Sequence, residues 1–396
     1  MKNRSVVVVF FAGVLTTVLA SLLIYMSVDF TVITKSEYDG LTNMEEKYEK
    51  AEKIRIDLHK KYYLEIDDET IENGMYKGMF EAIGDKYSTY MTEDEFKDYK
   101  DSTNGNYVGI GILSDVSDDT IRITRVFPNS PAEKAGIENG DVIFQVDDSH
   151  IDDVGYSGLI SIMLGEEDTD VEVFVIRGNE KLTFNMKRGK VEIPFVSSNI
   201  IEEVGYIHIY KFGTDTSVEF KKHLSELKKE GIKGLIIDVR DNPGGLVYEA
   251  TEISDELMGK GIIVYTLDKA GNKREYNSGS SKLDIPFIML SNENSASASE
   301  ILLGALQDTD TSEVVGVQSF GKGIVQGLTN LKDGSGYKIT FAQYFTPDGN
   351  NIHGIGIEPD YIVEYDGKID GESPDMDNDT QLIKAFEILM KKILSN

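Results

Sequence analysis

Between residues 204 and 345, short apolar runs alternate with helical patterns, and that alternation limits the architecture more than any other feature of the chain. Val204 to Ile209 is followed by an amphipathic stretch from Val218 to Lys229, then by Gly234 to Val239, Leu246 to Met258 and Ile262 to Leu267. Strand, helix, strand in this order argues βαβ units and a largely parallel sheet. In such a sheet, ligands sit beyond the carboxyl ends of the strands, where the loops meet. Asp241-Asn-Pro-Gly-Gly245 occupies such an end. Gly244 and Gly245, opening the next helix, can aim backbone N–H groups at an anionic oxygen. A phosphate loop would use the same physics, but Gly321-Lys-Gly323 lacks the Walker spacing and its Ser or Thr. An oxyanion hole fits better.

The second informative stretch runs from Asn292 to Gln326. A strand-like run, Ile285 to Leu290, ends in a polar loop, and from Ser297 the pattern turns helical with Ile301, Leu302, Ala305 and Leu306 on one face. Small hydroxyl residues therefore stand at a helix start, where serine is an ordinary N-cap when nothing else argues otherwise. Further along, Lys322 is flanked by glycines and Gln326 follows four residues later, a spacing that shares one face of a strand.

Asn294-Ser-Ala-Ser-Ala-Ser-Glu300 followed by Phe320-Gly-Lys-Gly-Ile-Val-Gln326 resembles the signature of the carboxyl-terminal processing peptidases, the tail-specific serine proteases. Gly234-Leu-Ile-Ile-Asp-Val-Arg-Asp-Asn-Pro-Gly-Gly-Leu246 is similar to that family's strand and glycine turn, Tyr344 to Asp360 to its closing segment, and Gly84-Asp-Lys-Tyr-Ser-Thr-Tyr90 to its early helical region. The likeness covers roughly residues 60 to 362 in the family's order. It implies a crotonase-like spiral α/β core, and it selects Ser297 over Ser295 and Ser299 as the nucleophile.

A serine hydroxyl must lose its proton to a nearby base. Of the five histidines, His208 lies within a core strand and reads as structural, and His353 is the one rival base, though a turn histidine is the plainer reading. Lys322 is the better base. A lysine with an ordinary pKa is almost fully charged at neutral pH, but the setting of Gly321, Gly323, Ile324 and Val325 desolvates the amine and favours its neutral form. Gln326 can orient that amine without adding charge. Ser297 is thus assigned as nucleophile, Lys322 as general base and Gln326 as orienting residue. The amides of Ala298 and Gly244 are the expected oxyanion donors, with Gly245 the alternative if the turn is shifted by one residue.

Period-two patterning begins near Tyr107. Val108 to Leu113, Ile121 to Val126, Asp141 to Val146, Val171 to Ile176 and Lys181 to Met186 read as strands, with a short glycine-closed helix from Pro128 to Asp141 between two of them. The order resembles a circularly permuted PDZ domain, which places Val108, Gly109, Ile110, Gly111 and Ile112 in its peptide-binding loop. Glycines there let the backbone turn its N–H groups toward a terminal carboxylate while the peptide adds as a strand. Met163-Leu164-Gly165 departs from the Arg-Gly often found after this domain's long helix, so a basic side chain coupling the two domains is not carried over.

Residues 5 to 28 hold no charge and follow Lys2 and Arg4. At about 20 residues to cross the hydrocarbon core, this run is long enough to span. A cleaved signal peptide is the alternative, but the run is longer than the usual apolar region and no clean small-x-small site follows it. An uncleaved anchor with the remaining chain facing outward from the cell membrane is expected; a cleaved leader would make the protein secreted. All 69 acidic residues lie beyond this run in a chain of formal charge −29, which disfavours nucleic acid as a partner and repels an anionic lipid surface. With no cysteine, disulfides and thiolate chemistry are excluded.

From Leu41, the positions Met44, Tyr48, Ala51, Leu58 and Tyr62 follow a heptad seam interrupted by Arg55, for which homodimer contact is the expected use and packing on the chain's own core the alternative. Asp375-Met-Asp-Asn-Asp379 opens like a calcium loop, but Thr380 and Phe386 stand where glycine and the closing glutamate belong, so no metal is expected. Asp379 caps a last helix, Thr380 to Leu394, whose apolar face packs on the core or a second subunit.

The expected organisation is an anchor at 1–28, a helical region at 29–100, a PDZ domain at 101–190, a serine protease core at 191–365 and a final helix at 366–396. The function implied is a cofactor-free endopeptidase that binds protein or peptide substrates by their C-termini. The alternative is a catalytically silent, membrane-tethered PDZ adaptor.

Overall fold

The computed structural model describes residues 2–27, 33–117, 120–279, 282–365, 367, 369, 371 and 373–395. The boundaries placed at residues 28 and 366 therefore fall outside the described residues. Two compact units are formed, Met1–Tyr76 and Lys77–Asn396. The first holds α1 (Lys2–Ser27) and α2 (Lys35–Lys61). Within α1, Ser5–Leu23 is long and apolar enough to cross a membrane, as a signal anchor or a signal peptide would be. Thr34 opens α2 through a capping box with Glu37. No residue of α2 is buried, and its seam residues Leu41, Met44 and Tyr48 are exposed. α3 (Asp68–Glu81) spans the division between the units.

In the second unit, a turn at 84–88 leads to β1 (Thr89–Met91) and α4 (Glu93–Thr103). Next comes the β-rich domain. Gly111 breaks the single strand expected from Val108 to Leu113, because its φ of 87° bends the chain, giving β2 (Asn106–Gly109) and β3 (Ile112–Ser117). These are followed by β4 (Thr120–Val126), α5 (Pro131–Ala135), β5 (Val142–Val146), β6 (Ser149–His150), α6 (Ile151–Met163), β7 (Asp170–Arg177), β8 (Glu180–Lys187) and β9 (Gly189–Glu192). The main sheet has the order β3-β4-β5-β7-β8, so β3 is an edge strand, and β2 pairs with β9. Ile121, Ile123, Ile143, Val146, Leu159, Val171, Val173 and Val175 fill one core. Ser130 and Pro131 start α5 and the left-handed Gly136 ends it, as the sequence chemistry requires.

The larger domain is built on a sheet of order β10-β11-β12-β15-β16-β19. These strands are β10 (Val196–Ile201), β11 (Val204–Ile209), β12 (Gly234–Asp238), β15 (Phe287–Ser291), β16 (Glu313–Gly316) and β19 (Tyr361–Ile362), and every pair beyond β10/β11 is parallel. Each residue of β11, β12 and β15 is buried, as expected of strands covered on both faces. One face carries α7 (Thr216–Lys229), α8 (Val247–Leu257) and α9 (Ala298–Asp308); the other receives Leu382, Ala385 and Leu389 of α10 (Thr380–Ser395). The last helix thus packs on the core.

A second, antiparallel sheet holds β13 (Gly261–Asp268), β14 (Lys273–Ser278), β17 (Ile324–Asn330) and β18 (Gly336–Phe345), with β1 on its edge. The run Ile262 to Leu267 belongs here and not to the parallel sheet, because β13 pairs with β14 and β18.

Candidate active site

The chain leaves β12 through Arg240, a fully buried guanidinium. Its Nε and Nη2 hold both carboxylate oxygens of Asp238 at 2.6–3.0 Å, and its Nη1 reaches Asp379 and Gln381 at the head of α10, both at 3.0 Å. Tyr206 donates to Asp238 at 2.7 Å. Burial opposes ionisation of Asp238, but the charges of Arg240 and His208 outweigh it and hold the carboxyl below its ordinary range. His208 lies within β11 as expected, buried against this network and stacked on Tyr210.

Beyond Arg240 the glycine turn is fastened by Asn242, fully buried. Its Nδ2 donates to Ile209 O at 2.8 Å, its Oδ1 accepts the Gly244 amide at 2.9 Å, and its carbonyl accepts Ala296 N and Ser299 Oγ, each at 3.0 Å. One residue, through its side chain and its carbonyl, so joins the end of β11, the turn and the start of α9. Gly244 has φ 96°, and a Cβ on it would lie 2.5 Å from Ala296 O, 2.8 Å from Ser297 Cβ and 2.9 Å from Ala298 N. The structure therefore brings Gly244, Ser297 and Ala298 together. It also corrects one expectation: the Gly244 amide is occupied by Asn242. The amides of Gly245 and Ala298 are the ones without a hydrogen-bond partner among the described residues.

Three serines crowd the helix start and differ in what they do. Ser295 Oγ donates to Val239 O at 2.8 Å and Ser299 Oγ to Asn242 O, and both residues are fully buried. Ser297 is part-exposed, has φ 56° and ψ −109°, and its Oγ donates to no group among the described residues, facing instead the Glu300 backbone N–H in a capping box. A non-glycine residue in that backbone region is strained, and such strain is kept where the surroundings over-determine it. Glu300, fully buried, supplies part of that determination and was missed as a site residue in the sequence. Its carboxylate accepts Ser297 N at 2.8 Å, Ser319 Oγ at 2.6 Å, Gly321 N at 2.7 Å and Lys322 N at 2.8 Å. Glutamate three residues after a helix-opening serine was the signal available, since it is a capping-box spacing.

The glycines around Lys322 permit a close backbone approach. A Cβ on Gly321 would lie 2.9 Å from Ile355 N, and one on Gly323 2.6 Å from His353 N. His353 is an exposed residue of this packed turn, with its N–H held by Asn351 Oδ1. Lys322 Nζ lies 4.6 Å from the centroid of the Tyr87 ring and makes no hydrogen bond or ion pair among the described residues, so it is not bonded to Ser297. Burial chiefly pushes its pKa down, the like charge of Lys338 and that of Lys86 add to this, and Asp85 and Glu300 oppose.

Gln326 makes no hydrogen bond to Lys322 among the described residues. Lys322 precedes β17, a bulge falls between Val325 and Gln326, and the amide donates to Thr340 Oγ1 at 3.3 Å, so the four-residue spacing does not put the two side chains on one strand face.

In the smaller domain, Val108 and Gly109 pair with Lys190 and Gly189, Ile110 is buried in the core, Gly111 makes the bend and Ile112 opens β3. The carbonyls of Ile110 and Gly111 are tied to Ala132 N and Phe127 N at 2.8 and 3.0 Å. A Cβ on Gly111 would lie 2.2 Å from that of Ser130, so this position requires glycine. Leu164 packs beside Gly109, and the end of α6 is capped by Arg188, which donates to Ile162 O. No cluster of His, Asp and Glu suited to a metal occurs among the described residues.

Peptidase family S41 matches residues 203–363 and a PDZ domain matches residues 108–187. A "Probable CtpA-like serine protease" of Staphylococcus aureus (strain COL) is 33% identical over 370 residues, covering 92% of this chain and 73% of its own. Its counterpart in Staphylococcus haemolyticus is 34% identical over 340 residues, with 85% and 68% covered. Among solved structures, the photosystem II D1 C-terminal processing protease superposes with a TM-score of 0.50 at 28% identity, covering 78% of this chain and 85% of that one. The mixed α/β peptidase core and the PDZ domain are the fold these relatives imply, and this chain carries an apolar N-terminal helix. The chain belongs to peptidase family S41, among its PDZ-containing, carboxyl-terminal processing serine peptidases.

Proposed function

We propose that the protein cuts polypeptides with a Ser297–Lys322 dyad after its PDZ domain has taken hold of a free C-terminus. The observation that carries the reading is the contrast among the three serines: two donate their hydroxyls to buried carbonyls, and Ser297 alone, at a strained helix start, donates to none among the described residues. Glu300 binds the backbones of Ser297 and Lys322 with one carboxylate, which brings nucleophile and base into one constellation.

Neutral Lys322 Nζ takes the Ser297 Oγ proton as Oγ bonds to the scissile carbonyl carbon. The oxygen of the resulting tetrahedral intermediate is received by the Ala298 amide and that of Gly245, the neighbour of the expected Gly244. Collapse breaks the C–N bond, and the Lys322 ammonium returns its proton to the departing amine. Water then cleaves the acyl-serine with Lys322 again as base. Gln326 would orient the amine once Lys322 has moved toward Ser297.

For substrate capture, β3 is the free edge of its sheet and begins at the Gly109-Ile-Gly111 bend, so a peptide strand can add there with its carboxylate toward the loop. α1 would hold the peptidase at the outer face of the cell membrane.

The test is cleavage of an unstructured reporter by the full chain in detergent micelles. The parent should cut a free-acid reporter in preference to its C-terminal amide. Ser297→Ala and Lys322→Ala should be inactive, and Lys322→Arg as well because arginine stays protonated. Equal cutting of acid and amide removes the C-terminal reading; activity in Ser297→Ala removes the dyad.

A further inference from the structure

The Gly84–Tyr90 segment resembles the family's early helical region, yet none of its residues has a part in the chemistry above. We propose that Tyr87 is a positioning residue for the base: its ring face holds the Lys322 side chain in a resting place, unbonded to Ser297, for as long as the amine carries its proton. The inference rests on the reading of Lys322 as general base.

The geometry has three parts. Lys322 Nζ stands 4.6 Å from the Tyr87 centroid, within cation–π range, and no carboxylate or carbonyl competes for it among the described residues. Tyr87 itself sits on a fixed turn. Asp85 Oδ1 accepts the Tyr87 N–H at 3.0 Å, Ser88 Oγ donates to Asp85 Oδ2 at 2.6 Å, and Thr340 N donates to Ser88 Oγ at 2.9 Å. Finally, Thr89 pairs with Lys338 on β18, the strand that also pairs with β17 just after Lys322. The turn and the base are therefore braced against the same strand.

The charged groups around the amine are Asp85 and Lys86 from the turn, Lys338 from β18 and Glu300 from α9. Lys86 shares the Tyr87 ring, with Nζ 5.0 Å from its centroid, and none of these groups is ion-paired with Lys322. A ring quadrupole attracts an ammonium and not a neutral amine. Loss of the proton thus frees Lys322 from Tyr87 and makes its nitrogen an acceptor for the Ser297 hydroxyl in the same event. Protonation state and position are linked, and the ring favours the protonated, resting arrangement.

The experiment is the pH dependence of kcat/KM for reporter cleavage by the full chain, in the parent, Tyr87→Phe and Tyr87→Leu, with Lys322→Ala alongside. Phenylalanine keeps the ring face and should keep the midpoint of the rising limb. Leucine keeps apolar bulk without the face, so the ammonium loses support and the midpoint should fall by about half to one pH unit. Should Tyr87→Leu fold poorly, replacing Tyr87 by phenylalanines of increasing fluorine content weakens the ring's negative face at nearly constant shape, and the midpoint should fall stepwise. A lower rate with an unmoved midpoint, or a midpoint that rises, overturns the proposal. Activity retained in Lys322→Ala would instead overturn the base assignment beneath it.

Discussion

The two halves of the site are held in opposite ways. On the nucleophile side, buried and bonded side chains fix the backbone around Ser297: Asn242 ties the glycine turn, Glu300 the helix start and Arg240 the strand exit. The base side shares Glu300 through the Lys322 amide, but the amine at the end of the side chain lies over the face of Tyr87 with no hydrogen bond or ion pair among the described residues. Position at Ser297 is built into the fold, including a backbone conformation the residue would not choose alone. In the mechanism proposed, position at Lys322 depends on charge, and a fixed nucleophile with a movable base makes proton transfer the point at which the site is switched on.

Perturbations should separate the two halves. Gly244→Ala should have the largest effect: the new methyl would meet the backbone of Ala296 and Ala298, and displacing the Ser297 turn by even an ångström should lower kcat/KM by about 100-fold or more. Asp379→Ala strips one carboxylate from buried Arg240 and touches neither Ser297 nor Lys322 by any hydrogen bond among the described residues. It should destabilise the fold by about 3–5 kcal/mol, read as a drop in Tm or denaturation midpoint, with kcat changed less than stability. Glu300→Gln keeps the shape but turns an amide donor toward groups that themselves donate. A cost of about 1–3 kcal/mol should appear in thermal unfolding, together with a fall in kcat, because both halves lean on this carboxylate.

Lys338→Gln should act on the base side alone and least of all. Removing its like charge lets Lys322 hold its proton to higher pH, so the rising limb should move up in pH with the maximum rate retained. If Lys338→Gln lowered the maximum rate and left the limb in place, the base side would be as rigid as the nucleophile side.

What the sequence shows and what it hides follow the same division. Local chemistry was legible: the βαβ alternation, the helix starting at Ser297, the glycines around Lys322 and the short glycine-closed helix within 128–141 all stand where their residues place them. Pairings between distant segments were not. Arg240 meets Asp379 across 139 positions, which no periodicity encodes. The run at Ile262 joined the antiparallel sheet because its partners lie at 273–278 and 342–345. Gly244 and Gly245 could not be told apart as donors, since the choice depends on where the Asn242 side chain folds back. Gln326 was paired with Lys322 by counting residues along a strand, and a single bulge undoes that count.

The most direct test of the dyad is kcat/KM for a free-acid reporter measured from acid to alkaline pH in the parent and in Lys322→Ala. A single rising limb in the parent, with no cleavage at any pH in the alanine variant, is the expected result. A flat parent profile, or an alanine variant that cuts, would contradict Lys322 as the base that activates Ser297.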